Sequence, residues 1–252
     1  MTSRTPATAR EHYENLLAEH YEWMFGLPFE AKVAEQKAIL DEFAASESAG
    51  GLALDLGCGS GFQSIALSDR GYEVLAIDAS EKLLAKLAAR VGSRNIVSKH
   101  ADLRELDSLV RPGSAAIAVC MGDTLTHLGG RTEVSQLFQS VARALKPAGK
   151  FVITYRDLAS VELSGLDRFI PVRSDDRRVM TCFLEYETAE TVLVHDLINV
   201  RDDDGKWTLH KSSYRKLRIP VEWVVTELSR SGLPVMGRNE GRMATIAATR
   251  KA

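Results

Sequence analysis

The stretch Ala53-Leu54-Asp55-Leu56-Gly57-Cys58-Gly59-Ser60-Gly61 constrains this chain more than any other. A short apolar strand ends in an acid, and three glycines at alternate positions follow. Glycine has no Cβ, so the backbone there can turn through positive φ and admit a ligand at close range. The helix expected next aims its free N–H groups and positive dipole end at the turn. Such a loop suits a nucleotide-type cofactor at the end of the first strand of an α/β sheet. The spacing narrows the choice. A dinucleotide loop reads Gly-x-Gly-x-x-Gly. Here the third glycine comes one residue early, at Gly61, and Phe62 stands where glycine or alanine belongs. A Walker loop needs a lysine that is missing. Asp55 would repel a pyrophosphate and welcome a cation.

The next hundred residues keep the rhythm. Strands are predicted over 52–56, 73–77, 95–99, 115–120 and 150–155, with helices over 61–70, 81–91 and 132–145. Strands alternating with helices imply a parallel sheet covered on both faces. Asp78 closes the second strand, 17 residues beyond Gly61, near the spacing of about 20 expected of a ribose-binding acid. Asp102 closes the third strand. Either acid has a local alternative as a helix N-cap, although Ser80 is the better cap for the helix opening at Glu81.

Taken in order, "LDLGCGSG", "YEVLAID", "NIVSKHADL", "AAIAVCMGD" and "LKPAGKFVITY" resemble the motifs of class I S-adenosylmethionine-dependent methyltransferases, over residues 53–155. The likeness leans toward the small-molecule branch that methylates glycine and amino sugars. It implies a doubly wound, mostly parallel, seven-stranded Rossmann-like sheet, and S-adenosylmethionine as cofactor. It implies cofactor contacts from Asp55, Gly57, Cys58, Gly59 and Gly61 of the loop. Asp78 and Ala79 would hold the ribose, Asp102 and Leu103 the adenine, and Met121 would add a contact after strand four. Cys58 reads as a packing residue, not a nucleophile. The segment "HYENLLAEHYEWMFG" resembles the family's N-terminal lid, with Tyr13 and Tyr21 facing the cofactor. Their spacing equally fits a helix packed on the core.

Around that core, residues 1–50 are expected to form a helical lid hinged at Ala49-Gly50-Gly51. The core is expected over 51–157 and 220–252, and an antiparallel insertion over 158–219. "RVMTCFLEYE", "TVLVHDLINV" and "WTLHKSSYRKLRI" read as its three strands, with a hairpin turn at Asp202-Asp203-Asp204-Gly205. Its exposed sheet is suited to pairing two copies into a homodimer.

Acceptor chemistry is expected at the carboxyl end of strand four. Asp123 and His127 stand one helical turn apart, in a segment similar to the family's Gly-Asn-Ser-x-x-His-Leu with Asp123 in place of asparagine. They are the candidate catalytic pair, although His127 also fits a packing role. Trp23, Tyr155 and Arg156 are the candidate substrate contacts, Arg156 as a partner for an anion. The expected reaction is in-line transfer of a methyl group to a small-molecule nitrogen or oxygen. The alternative is a binding or assembly module of the same fold without catalysis. Phe62 and Asp55 oppose a nicotinamide dehydrogenase. A net charge of −2 with no basic tract gives no field for nucleic acid. Three scattered cysteines and six histidines form no metal spacing. No apolar run reaches the roughly 18 residues of a membrane span, so a cytoplasmic protein is expected.

Overall fold

The structure, a computed structural model, describes residues 5–44, 50–241 and 243–251. The hinge residue Ala49 lies outside them. The core sheet holds β1 (Leu52–Leu56), β2 (Glu73–Asp78), β3 (Ile96–His100), β4 (Ala115–Cys120), β5 (Leu145–Tyr155), β10 (Val235–Glu240) and β11 (Ala244–Thr249). Their spatial order is β10-β11-β5-β4-β1-β2-β3. All pairings from β5 to β3 are parallel, and β11 runs antiparallel to β5 and to β10. The expected seven-stranded, mostly parallel sheet is therefore present.

Alternation along the strands sends neighbouring side chains to opposite faces. Leu54, Leu56, Ala118, Cys120, Phe151 and Ile153 join one buried layer, under α6 (Leu106–Leu109), α7 (Arg131–Ala144) and α8 (Val221–Arg230). Ala53, Ile117, Val119 and Val152 join the other, under α3 (Phe29–Ala44), α4 (Phe62–Ser68) and α5 (Glu81–Ala88). Both layers exclude water, so the sheet is doubly wound and the strand ends are rigid platforms for a site.

The turn expected at 146–149 is absorbed into β5 as a bulge. Ala148 sits there at φ 61°, and pairing with β4 resumes at Lys150. After β5 the chain leaves the core through Asp157. Its carboxylate accepts the N–H groups of Ala159 and Ser160, and also that of Val221 at the start of α8 (2.8, 2.9 and 3.1 Å). One acid thus ties the exit of the insertion to its return. Buried Arg218 repeats the stitch, donating to the carbonyls of Leu158 and Thr188 and to Glu162.

The insertion is an antiparallel sheet of four strands: β6 (Phe169–Ser174), β7 (Arg178–Tyr186), β8 (Thr191–Arg201) and β9 (Trp207–Leu217). The sequence suggested three. The fourth, β6, is an edge strand carrying Pro171, which donates no ladder hydrogen bond and hides the strand signal. One face of this sheet packs Met180 and Ile198 onto Leu16 and Leu17 of the N-terminal segment. That segment runs as α1 (Ala9–His12), a π-helical turn (Tyr13–Leu17), α2 (Ala18–His20) and a 3-10 turn (Trp23–Phe25), ending at Gly26 with φ 74°. It lies between the insertion and α5 and closes the carboxyl end of the core sheet.

Candidate active site

The glycine loop is fixed from beneath. The Gly57 and Cys58 N–H groups both donate to the Ile77 carbonyl (2.8 and 3.0 Å). Gly57 has φ 76°, and a Cβ there would strike the Thr124 side chain. A Cβ on Gly59 (φ 54°) would press on the Tyr21 hydroxyl at 3.1 Å. Gly61 has a different task, because a Cβ there would run into Leu87 of α5. The first two glycines make room at the loop surface, and the third lets helix pack on helix.

Asp78, at the end of β2, reaches back to the same loop. One oxygen accepts the Gly59 N–H and the other the Ser80 N–H, each at 2.8 Å. Burial pushes its carboxyl up, and these amides oppose the shift. Ser80 caps α5 through the Leu83 N–H, as expected. Asp102, at the end of β3, is gripped by Arg104 through two hydrogen bonds of 2.9 and 2.6 Å. That grip holds its carboxyl below the usual range. Asp55 lies behind the loop, 1% exposed. It accepts the Ser64 hydroxyl at 2.5 Å, while its second oxygen has no partner among the described residues. Burial pushes its carboxyl up to about 7.

Across the cavity, a 3-10 turn (Thr124–His127) follows β4. Asp123 precedes it at φ 83°, a left-handed conformation uncommon for a residue with a Cβ. Its carboxylate earns that strain with three partners: the Arg156 N–H at 3.0 Å, the Thr126 hydroxyl at 3.3 Å and the Lys216 ammonium at 2.6 Å. Burial alone would raise this acid, but Lys216 and Arg156 carry it well below the usual carboxylate range. His127 is half-buried between the rings of Tyr13 (5.5 Å) and Tyr214 (5.6 Å). Its Nε2 has no hydrogen-bond partner among the described residues. Burial, seconded by the Lys216 charge, holds the imidazole down at about 3. It is therefore neutral at pH 7.

The roof is latched on two sides. From α5, Lys86 donates to the Ala18 carbonyl at 2.7 Å and Arg90 forks onto Glu22 at 3.0 and 2.8 Å. Lys82 reaches the Glu14 carbonyl at 2.5 Å. Lys82 and Lys86 share one face of α5, and Arg90 follows just past its end. From the insertion, buried His12 pairs with Asp196 at 2.9 Å and stacks on Tyr214 at 4.1 Å. The Ala7 N–H donates to the Ser213 carbonyl at 2.9 Å.

A cavity of about 470 Å³ lies between these parts. Of the residues singled out from sequence, Tyr13, Tyr21, Gly57, Gly59, Asp78, Ala79, Asp102, Leu103 and His127 line it together. Asp55, Cys58, Gly61 and Met121 do not; they are buried beneath the loop and strand ends. Asp123 also stands behind the lining, ionised and fully partnered. The three candidate substrate contacts, Trp23, Tyr155 and Arg156, do not line the cavity. Trp23 turns away and donates its indole N–H to Asp175 at 2.5 Å. Tyr155 is 0% exposed within the core layer under α7 and α8. Arg156 meets the site through its backbone N–H on Asp123. Sequence reasoning missed Lys216, Tyr214 and the π-helical turn at Tyr13. Lys216 is separated from Asp123 by 93 residues, and no local pattern links them.

Residues 53–149 match the profile of a family described as a methyltransferase domain. Glycine N-methyltransferase of Mus musculus is 34% identical over 124 residues, covering 44% of this chain and 42% of that protein. The chain spans about two fifths of the length of the curated relatives it matches there. Among solved structures, the CcbJ methyltransferase of Streptomyces caelestis superposes with a TM-score of 0.79 at 20% identity, covering 96% of this chain and 99% of that one. CalS10, an amino pentose methyltransferase of Micromonospora echinaspora solved with S-adenosylmethionine bound, gives 0.75 at 18% identity, covering 93% and 97%. The core sheet, the N-terminal segment and the four-stranded sheet together share the Rossmann-like fold of these solved methyltransferases.

Proposed function

We propose that this chain transfers a methyl group from S-adenosylmethionine to a nitrogen or oxygen of a small molecule. The observation that carries the reading is one cavity bordered by a relaxed glycine loop, two strand-end acids and a neutral, half-buried histidine. The residues fit that cofactor. Gly57 and Gly59 leave a cradle that a Cβ would fill, Asp78 suits ribose hydroxyls, and Asp102 with Leu103 suits adenine. Asp55 keeps an orphaned oxygen behind the loop, where a cation in the cavity would draw it toward ionisation.

The cofactor, when bound, supplies a methyl group on a sulfonium, open to in-line displacement. The protein's share is position and dryness. Holding donor and acceptor about 3 Å apart and aligned can account for roughly 7–11 kcal/mol of the barrier. Tyr13, Tyr21 and the latched roof exclude water. His127 is neutral, so its ring can take a hydrogen bond from the acceptor and turn its lone pair toward the methyl group. Burial makes it a weak base, and orientation is therefore its main contribution.

Calorimetry with S-adenosylhomocysteine and with NAD tests the cofactor; the first binds and the second does not. Asp78→Ala weakens that binding more than tenfold, and an unchanged affinity removes the ribose assignment. Transfer of labelled methyl to a panel of amines, carboxylates and phenols tests catalysis. Binding without any transfer would favour the non-catalytic module.

The proposed partner of the insertion is a second copy of the chain. Its outer face leaves Phe169, Val179, Trp207 and Leu209 exposed, the kind of apolar surface that marks an interface.

A further inference from the structure

Lys216 is a buried charged residue in the cavity wall that the proposed methyl transfer does not use. It comes from β9 of the insertion, on the face that carries Tyr214, and is 8% exposed. Its ammonium lies 5.8 Å from the centre of the Tyr214 ring. Asp123 is its single hydrogen-bond partner among the described residues. An ammonium has three donors. Asp123 is already held by Arg156 and Thr126 and does not line the cavity, whereas Lys216 does. A ligand in the cavity therefore meets the cation and not its counter-ion. His127, whose buried Nε2 has no partner among the described residues, lines the same cavity.

Burying a polar donor is costly unless it finds an acceptor, and burying a charge more so. The Asp123 pair makes the buried ammonium tolerable but leaves donors unspent. A cationic amine there would face a like charge in a water-poor pocket. An anionic oxygen would complete the ammonium's shell with charge-assisted hydrogen bonds. We infer that Lys216 selects the methyl acceptor by binding an anionic oxygen on it, a carboxylate or a phosphate, with a hydrogen-bonding group of the same molecule facing His127. This rests on the proposed methyl transfer for its meaning, but not for its test.

The test titrates four probes of similar size into the protein: benzoate, phenyl phosphate, benzyl alcohol and benzylamine. Each is run with and without saturating S-adenosylhomocysteine. At least one anion binds tenfold or more tighter than the alcohol and the amine, and which anion does so identifies the source of the oxygen. Lys216→Met loses the preference and Lys216→Arg keeps it. Because Lys216→Met strands Asp123 as a buried unpaired anion, the double variant Asp123→Asn/Lys216→Met removes both charges; it too loses the preference. Equal binding of all four, preference for the amine, binding of none, or an anion preference that survives both Met variants overturns the inference. A chain that prefers anions but ignores S-adenosylhomocysteine would overturn the methyl-transfer reading and leave this one standing.

Discussion

Gly57 and Asp55 are adjacent to one loop and fail in opposite ways when changed. At Gly57 the backbone sits at φ 76° and the space for a Cβ is filled by Thr124. Gly57→Ala thus combines backbone strain of about 1–2 kcal/mol with a clash. The expected result is a lower melting temperature and loss of S-adenosylhomocysteine binding, read by thermal shift with and without the ligand. Asp55 is the pH-dependent one. Its carboxyl is raised from 3.8 to about 7, so the folded protein holds a proton that the unfolded chain has released. That contribution is full below pH 4 and is lost as the pH climbs through 7. Asp55→Asn is expected to gain on the parent as the pH rises from 5 to 8, by on the order of 2–4 kcal/mol. Thermal melts at both pH values check it, and a difference that does not change with pH would refute the assignment. Asp78 was legible in the sequence because strand ends and loop spacing are local properties. The partnership of Asp123 with Lys216 was not, since it joins β4 to β9 across an insertion.

The elements that stood out in the sequence were those whose pattern reports their own burial. Helix α7 carries Val134, Leu137, Phe138 and Val141 on one buried stripe, and its bounds shift by a single residue from expectation. The missed strands, β6 and β10, are edge strands broken by Pro171 and bent at Gly237. Edge strands bury less, so periodicity has little to report there. Helix α5 shows a further kind of illegibility. Lys82 and Lys86, with Arg90 just past the helix end, carry no local pattern that announces a role, and in the fold they hold down the roof. Lys86→Met with Arg90→Met is expected to loosen residues 5–25 while sparing the core. Limited proteolysis would show faster cleavage near the N-terminus and an unchanged core fragment. Equal cleavage in both proteins would show that the insertion latch suffices alone.

For the molecule as a whole, the sheet that latches the roof with one face offers the other to solvent. Phe169→Glu with Leu209→Glu is expected to convert a dimer into a monomer in sedimentation or light scattering, without altering S-adenosylhomocysteine binding. A monomeric parent would remove the pairing proposal. Among the described residues no helix is long and apolar enough to cross a membrane. The chain's layout also sets an order of events during synthesis. His12 emerges 184 residues before the Asp196 that receives it, and Ala7 waits still longer for Ser213. A segment made ahead of the core is consequently docked only after the insertion has followed it. A nascent chain halted before β9 can complete most of its Rossmann-like layers, yet its binding crevice stays roofless, and ligand capture should appear abruptly once that final hairpin strand has been made.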